Sequence, residues 1–127
     1  MKKNTFFIAI VITGFTIASC DQKLNIKNGD LEILVNEKMQ MKLQNLKQAD
    51  QPLMSDFTYS EYLQTRYFTA KDFRLSGSEK RDVKTPSGDG TQWILKGKYE
   101  DYPLEKIVTI TTYLKVPNSA YCLVSYI

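Results

Sequence analysis

The sequence predicts an all-β fold, an antiparallel β-sandwich. Three observations carry this. Apolar and polar residues alternate with period two in several short runs, turn residues separate those runs, and no stretch sustains the 3.6-residue repeat of a long helix. The runs begin near Leu24, so the first twenty-three residues are read separately.

Lys2 and Lys3 open the chain with positive charge, and an apolar core runs from Thr5 to Ile17. That core is shorter than the roughly 20 residues a spanning helix needs, so it reads as a cleavable signal. The segment Ile17-Ala18-Ser19-Cys20 resembles the lipobox of bacterial lipoproteins. The resemblance implies that the Cys20 thiol is alkylated by a diacylglycerol group, that Ala18 and Ser19 fit the peptidase, and that Cys20 becomes the acylated N-terminus. Acyl chains contribute roughly 0.8 kcal/mol per buried CH₂, so a lipid bilayer is the first partner expected. The address is the bacterial cell envelope: outer membrane, periplasm or cell surface. The alternative is an ordinary secretory signal cut after Ser19, which leaves a free Cys20. The expected organisation is a signal at 1–19, lipidated Cys20 with a spacer at 20–23, and the sandwich at 24–127.

Each element of the sandwich has a local reason. Leu24 to Lys27 alternates, Asn28-Gly29 marks a hairpin turn, and Leu31, Ile33 and Val35 resume the alternation. Met39 to Leu43 keeps period two and reads as a third strand, with a helix over 37–47 as the rival. Residues 45–51 are polar and end at Pro52, a loop. Leu53 to Phe68 is rich in aromatics. Lys71 to Leu75 is a short strand, and Ser76 to Gly90, with three glycines and Pro86, is an exposed connection that includes Lys80-Arg81. Gln92 to Tyr99 places Trp93 and Leu95 on one face. Leu104 to Leu114 places Val108, Ile110 and Leu114 on one face and Ile107, Thr109, Thr111 and Tyr113 on the other, with β-branched residues dominant. Val116-Pro117-Asn118 breaks the pattern and Ala120 to Ile127 begins a last strand. The apolar pattern at Tyr126-Ile127 has no turn or polar tail after it, so the sandwich is expected to be truncated at its C-terminus.

Composition excludes several chemistries. The chain of 127 residues has no histidine, which removes Ser-His-Asp and Cys-His catalysis and histidine metal sites. No cofactor or metal is expected. Two of the three net positive charges come from Lys2 and Lys3, so nothing argues for nucleic acid. With Cys20 acylated, Cys122 is alone and reads as a core thiol. The 14 acidic residues offer carboxylate pairs such as Asp56 with Glu61 and Glu100 with Asp101, and Glu100 and Asp101 read as solvated. Glycosidases use two carboxylates flanking the scissile bond. The segment from Ser55 to Tyr62 interleaves hydroxyls, acids and three rings. It offers Asp56, Tyr59, Glu61 and Tyr62 as sugar- or interface-contacting residues, because sugar CH faces stack on aromatic rings while the hydroxyls need polar partners. The alternative is a strand edge whose rings pack into the core.

The succession Leu31-Glu32-Ile33, Met39-Gln40-Met41-Lys42, Ser55-Asp56-Phe57, Ser60-Glu61-Tyr62, Trp93, Leu104 to Ile110 and Tyr121 to Tyr126 resembles the N-terminal super-sandwich of melibiase-type α-galactosidases of glycoside hydrolase family 36. The resemblance covers most of residues 24–127. It implies the non-catalytic front end of a lipid-anchored α-galactosidase-like hydrolase in carbohydrate degradation, with a galactoside or other glycan as ligand. The family's catalytic aspartates lie in a following (β/α)₈ barrel of roughly 250 residues, so no catalytic residue carries over to this chain. The absent C-terminal catalytic domain is then a partner. The alternative is a complete small lipoprotein that binds a glycan or a protein.

Overall fold

The structure is a computed structural model that describes residues 24–48, 53 and 56–127. The signal at 1–19, Cys20, the 20–23 spacer and most of the 49–55 segment lie outside the described residues. The fold is all-β, antiparallel and sandwich-like, as the alternation predicts. β1 (Leu24–Asn28), β2 (Leu31–Val35) and β3 (Met41–Asn45) form a three-stranded sheet in that order. β4 (Leu63–Gln64) and β5 (Thr69–Ala70) make a small ladder. β6 (Phe73–Thr85), β7 (Gly88–Tyr99), β8 (Glu105–Tyr113) and β9 (Val116–Tyr126) form a four-stranded meander.

One core joins the two larger sheets. Ile26, Ile33 and Val35 from the small sheet meet Trp93, Leu95, Val108 and Ile110 from the large one, with Phe73 and Ala70 closing one end. These positions follow the pleat. Trp93 is paired with Ile110 and Leu95 with Val108, so both pairs present the same face. Trp93 is buried, as its position in the alternation predicts.

Several elements differ from their sequence expectation, each for a physical reason. The first hairpin forms, but its central residues are Gly29-Asp30, because Asn28 pairs with Leu31. Gly29 has φ +64° and Asp30 has no positive φ, the type II′ pattern that needs glycine first. The third strand starts at Met41. Before it, Asn36 O accepts a hydrogen bond from Met39 N at 3.0 Å, and Asn36 Oδ1 accepts from the backbones of Lys38 and Gln40. This closes a three-residue loop whose last member, Met39, is left-handed at φ 57°. A left-handed residue other than glycine costs about 1–2 kcal/mol. Met39 is nonetheless almost fully buried, and burying such a side chain stabilises by about 1.5–3 kcal/mol, so packing outweighs the strain. Its sulfur occupies the space that a Cβ at Gly97 would need.

The connection expected at 76–90 is instead the middle of one long hairpin. β6 continues to Thr85, and only Pro86-Ser87 turn the chain. The Lys80-Arg81 pair is therefore in a strand, though solvated. As the outer strand of its sheet, β6 carries polar side chains on both faces, which hides its period. An extra residue between Leu75 and Gly77 bulges the strand and shifts its register. β8 ends at Tyr113, so Leu114 leaves the core face and is exposed in the turn. β9 starts at Val116, through the predicted break, with Asn118 at φ 62°. Cys122, expected in the core, is exposed because β9 is an edge strand.

The two layers are clasped where their hairpins meet. Asn28 Nδ2 donates to the carbonyls of Val116 at 2.9 Å and Ser119 at 2.8 Å, and Asp30 N donates to Asn118 Oδ1 at 2.7 Å.

Candidate functional site

The aromatic segment 56–64 crosses from the small sheet to the large one. It is pinned at two points. The first is a bridge to β3: Met41 N donates to Thr58 O at 2.8 Å and Thr58 N to Met41 O at 3.0 Å. The second is an ion pair between Glu61 and Lys106. Alternation along the strand puts Lys106 on the buried face of β8 with Val108 and Ile110, and its residue exposure is 1%. An ammonium there needs a counter-charge. Glu61 supplies it from outside the sheet. Glu61 Oε1 also accepts from the Tyr126 hydroxyl at 3.2 Å, and Glu61 Oε2 from Ser60 Oγ. The Phe73 ring lies under the Lys106 ammonium, with 5.7 Å from Nζ to the centroid. Burial pushes the Glu61 carboxyl up, but the hydrogen bonds from Lys106 and Ser60 outweigh it and hold the group below the usual carboxylate range. Burial, with the facing Glu61 charge, pushes the Tyr126 hydroxyl up to about 12.

Between these two pins stands Tyr59. Its hydroxyl donates to Asp72 Oδ1 at 2.5 Å, and Lys71 Nζ lies 6.0 Å from its ring centre. The hydrogen bond to Asp72, then burial, then the Asp72 charge push the Tyr59 hydroxyl up to about 12. Tyr59 lines a cleft of about 220 Å³ with Lys38, Asp72, Phe73, Arg74 and Glu100. The loop at Asn36–Gln40 supplies Lys38, the start of β6 supplies Phe73 and Arg74, and the end of β7 leads to Glu100. Arg74 is tied back to that loop, with its guanidinium 3.9 Å from Glu37. The cleft therefore sets two aromatic rings, Tyr59 and the buried Phe73, among two carboxylates and two cations.

The sequence-predicted residues do not gather in one place. Tyr59 lies in this cleft. Asp56 borders a second, larger cleft of about 360 Å³ beside Asn36, Glu37 and Gln40, and its Oδ1 accepts from the backbone of Phe57 at 2.7 Å. Glu61 is engaged by Lys106, so Asp56 and Glu61 do not act as a carboxylate pair. Tyr62 is exposed. Glu100 and Asp101 are exposed, and Glu100 lines the Tyr59 cleft. Sequence reasoning missed Lys106, Asp72 and Arg74. The signal for Lys106 was present: a lysine on the apolar face of the clearest strand demands an acid. Asp72 and Arg74 gave none, because the register of β6 with β7 brings them to Glu100.

Among the described residues no group of three or more metal-ligating side chains clusters, and no helix is long and apolar enough to cross a membrane. Comparison of the chain with protein-family models, with curated proteins and with solved structures gave no match.

Proposed function

We propose that this chain is a non-catalytic, glycan-binding β-sandwich module, held at the bacterial cell envelope by acylated Cys20 and serving galactoside breakdown as the front end of a glycoside hydrolase. The Tyr59 cleft carries the glycan reading. A ring whose hydroxyl is fixed by Asp72 offers a face for sugar CH groups, while Lys38, Arg74 and Glu100 offer donors and acceptors for the hydroxyls. The cleft is smaller than the roughly 300–1,000 Å³ of a typical small-molecule pocket. That size suits one or two sugar units of a longer chain. Asp72 is committed to the Tyr59 hydroxyl, which suits positioning rather than proton transfer. The hydrolase setting rests on the resemblance of the strand phrases, and the anchor rests on the Ile17-Ala18-Ser19-Cys20 signal.

The full chain, purified in detergent, is applied to a glycan array rich in galactosides. Binding is expected, lost on Tyr59→Ala and kept on Tyr67→Ala, a fully surface tyrosine. Absence of binding to every glycan, or equal binding by Tyr59→Ala, contradicts the cleft. No turnover of a nitrophenyl galactoside is expected; turnover contradicts the non-catalytic reading. The genomic frame beyond the Ile127 codon tests the hydrolase setting separately: a barrel-coding extension supports it, and an immediate stop contradicts it without touching the cleft.

A further inference from the structure

The two edges of the four-stranded sheet are built differently. β6 is fenced by charge at Glu79, Lys80, Arg81 and Asp82 and bent by its bulge, the usual protections of a free edge. β9 has neither over its last half. From Ala120 to Ile127 it holds no charged residue and no proline. Tyr121, Cys122 and Leu123 are consecutive and exposed, with Tyr121 at 56% and Leu123 at 69%. Three adjacent exposed apolar residues on an edge strand call for a partner. Among the described residues no strand pairs with this edge.

The backbone register says which groups are free. Ile127 and Glu105 exchange both hydrogen bonds at 2.9 Å, so they are a hydrogen-bonded pair. Such pairs alternate along an antiparallel ladder. Residues 121, 123 and 125 therefore spend their N–H and C=O groups on β8, through the unbroken pairing of Tyr121 with Thr111 to Ser125 with Ile107. Ala120, Cys122, Val124 and Tyr126 point theirs outward. Asn118 does not continue that series: its backbone is left-handed at φ 62°, and its side chain is held in the clasp with Asp30.

We propose that a second copy of this chain covers the edge, its β9 pairing antiparallel with β9 about a two-fold axis at Leu123. This register pairs all four outward residues with one another and does not call on the left-handed Asn118. Ala120 faces Tyr126 of the second copy, and Cys122 faces Val124 of the second copy. The four pairs exchange about eight backbone hydrogen bonds. Shifting the centre to Cys122 sets Tyr126 against the left-handed Asn118, which breaks the extended backbone a ladder needs. On the outer face, Leu123 meets its own counterpart and extends the row of Ile94 and Thr109 across both copies. No charge meets another along the seam. Pairing of β9 with β6 of a second copy, which generates open filaments, sets the neutral strand against the charged one. The isologous contact closes after two chains. The proposal is independent of the glycan reading.

The full chain in detergent is measured by light scattering, and a protein mass of two chains is expected. Leu123→Lys places two ammonium groups face to face and returns the mass to one chain with an unchanged β-type dichroism spectrum. Cross-linking keeps the test open if that variant unfolds. In a Cys122→Ser background, Leu123→Cys brings two thiols together with Cα atoms about 4.5 Å apart, within disulfide reach. Ser125→Cys in the same background stands about 14 Å from its counterpart. Rapid oxidative dimerisation through residue 123 and background levels through 125 support the proposal. A single-chain mass at all concentrations, or equal cross-linking at both positions, overturns it.

Discussion

Replacing Glu61 by glutamine removes the charge and keeps the shape, leaving the Lys106 ammonium buried opposite a neutral amide. Removing one partner of a buried ion pair costs about 3–5 kcal/mol. The Glu61 side chain is 27% exposed, and solvent screening reduces the expected loss to about 2–3 kcal/mol. For a domain of this size that lowers the thermal midpoint by roughly 10–20 °C. Lys106→Met gives the contrast. It fills the same space without charge, and the released Glu61 carboxylate turns to water, so the loss is about 1 kcal/mol or less. The double variant should resemble Lys106→Met, because its buried face holds no charge. Urea unfolding of the full chain in detergent measures all three. The reasoning fails if Glu61→Gln costs no more than Lys106→Met, since that means the ammonium finds water or another partner without Glu61.

Glu61 is held below its usual range, and so is Glu32, chiefly through its hydrogen bond from Gln44 against the opposing effect of burial. Their stabilisation is fully present above the unfolded carboxylate range near pH 4.3 and is lost as pH falls through their lower folded values; acid unfolding of wild type should show this limb and Glu61→Gln should show less of it. Tyr59 and Tyr126 are raised to about 12, so their contribution is full below pH 10 and fades between pH 10 and 12. In ultraviolet titration, Tyr59→Phe and Tyr126→Phe should each remove an ionisation near pH 12, and loss of one near pH 10 instead counts against that hydrogen bond. Gly97→Ala drives a methyl into Met39 Sδ and towards Arg74 O, for a loss of about 1–3 kcal/mol, and unchanged urea stability contradicts that packing. Asn118→Ala breaks the clasp to Asp30 N and puts a left-handed backbone on alanine, costing about 1–3 kcal/mol by the same assay.

Legibility of the sequence tracked how strongly one face of a strand is buried. β7 and β8 could be read residue by residue because Trp93, Leu95, Val108 and Ile110 alternate with half-buried or solvated neighbours. β6 could not, because an outer strand wetted on both faces has no period, and its Gly77, with Pro86 and the Gly88 and Gly90 that follow, reads as a loop. Met39 read as a strand residue because methionine is rare in the left-handed region; only its fit against Gly97, far along the chain, makes that conformation worthwhile. The site divided in the same way. Tyr59 was visible as an aromatic among hydroxyls and acids. Glu61 was visible as an acid, but its role belongs to Lys106 on another strand. Asp72, Arg74 and Glu100 enter the cleft through strand register, which no local pattern encodes.

Amide chemical-shift mapping of the full chain in detergent, titrated with a galactose-containing oligosaccharide, shows whether the Tyr59 cleft holds sugar. Saturable shifts confined to Lys38, Tyr59, Asp72, Arg74 and Glu100 are expected, and they should vanish in Tyr59→Ala. Shifts that cluster elsewhere, or none at millimolar sugar, contradict the glycan-binding account of the cleft.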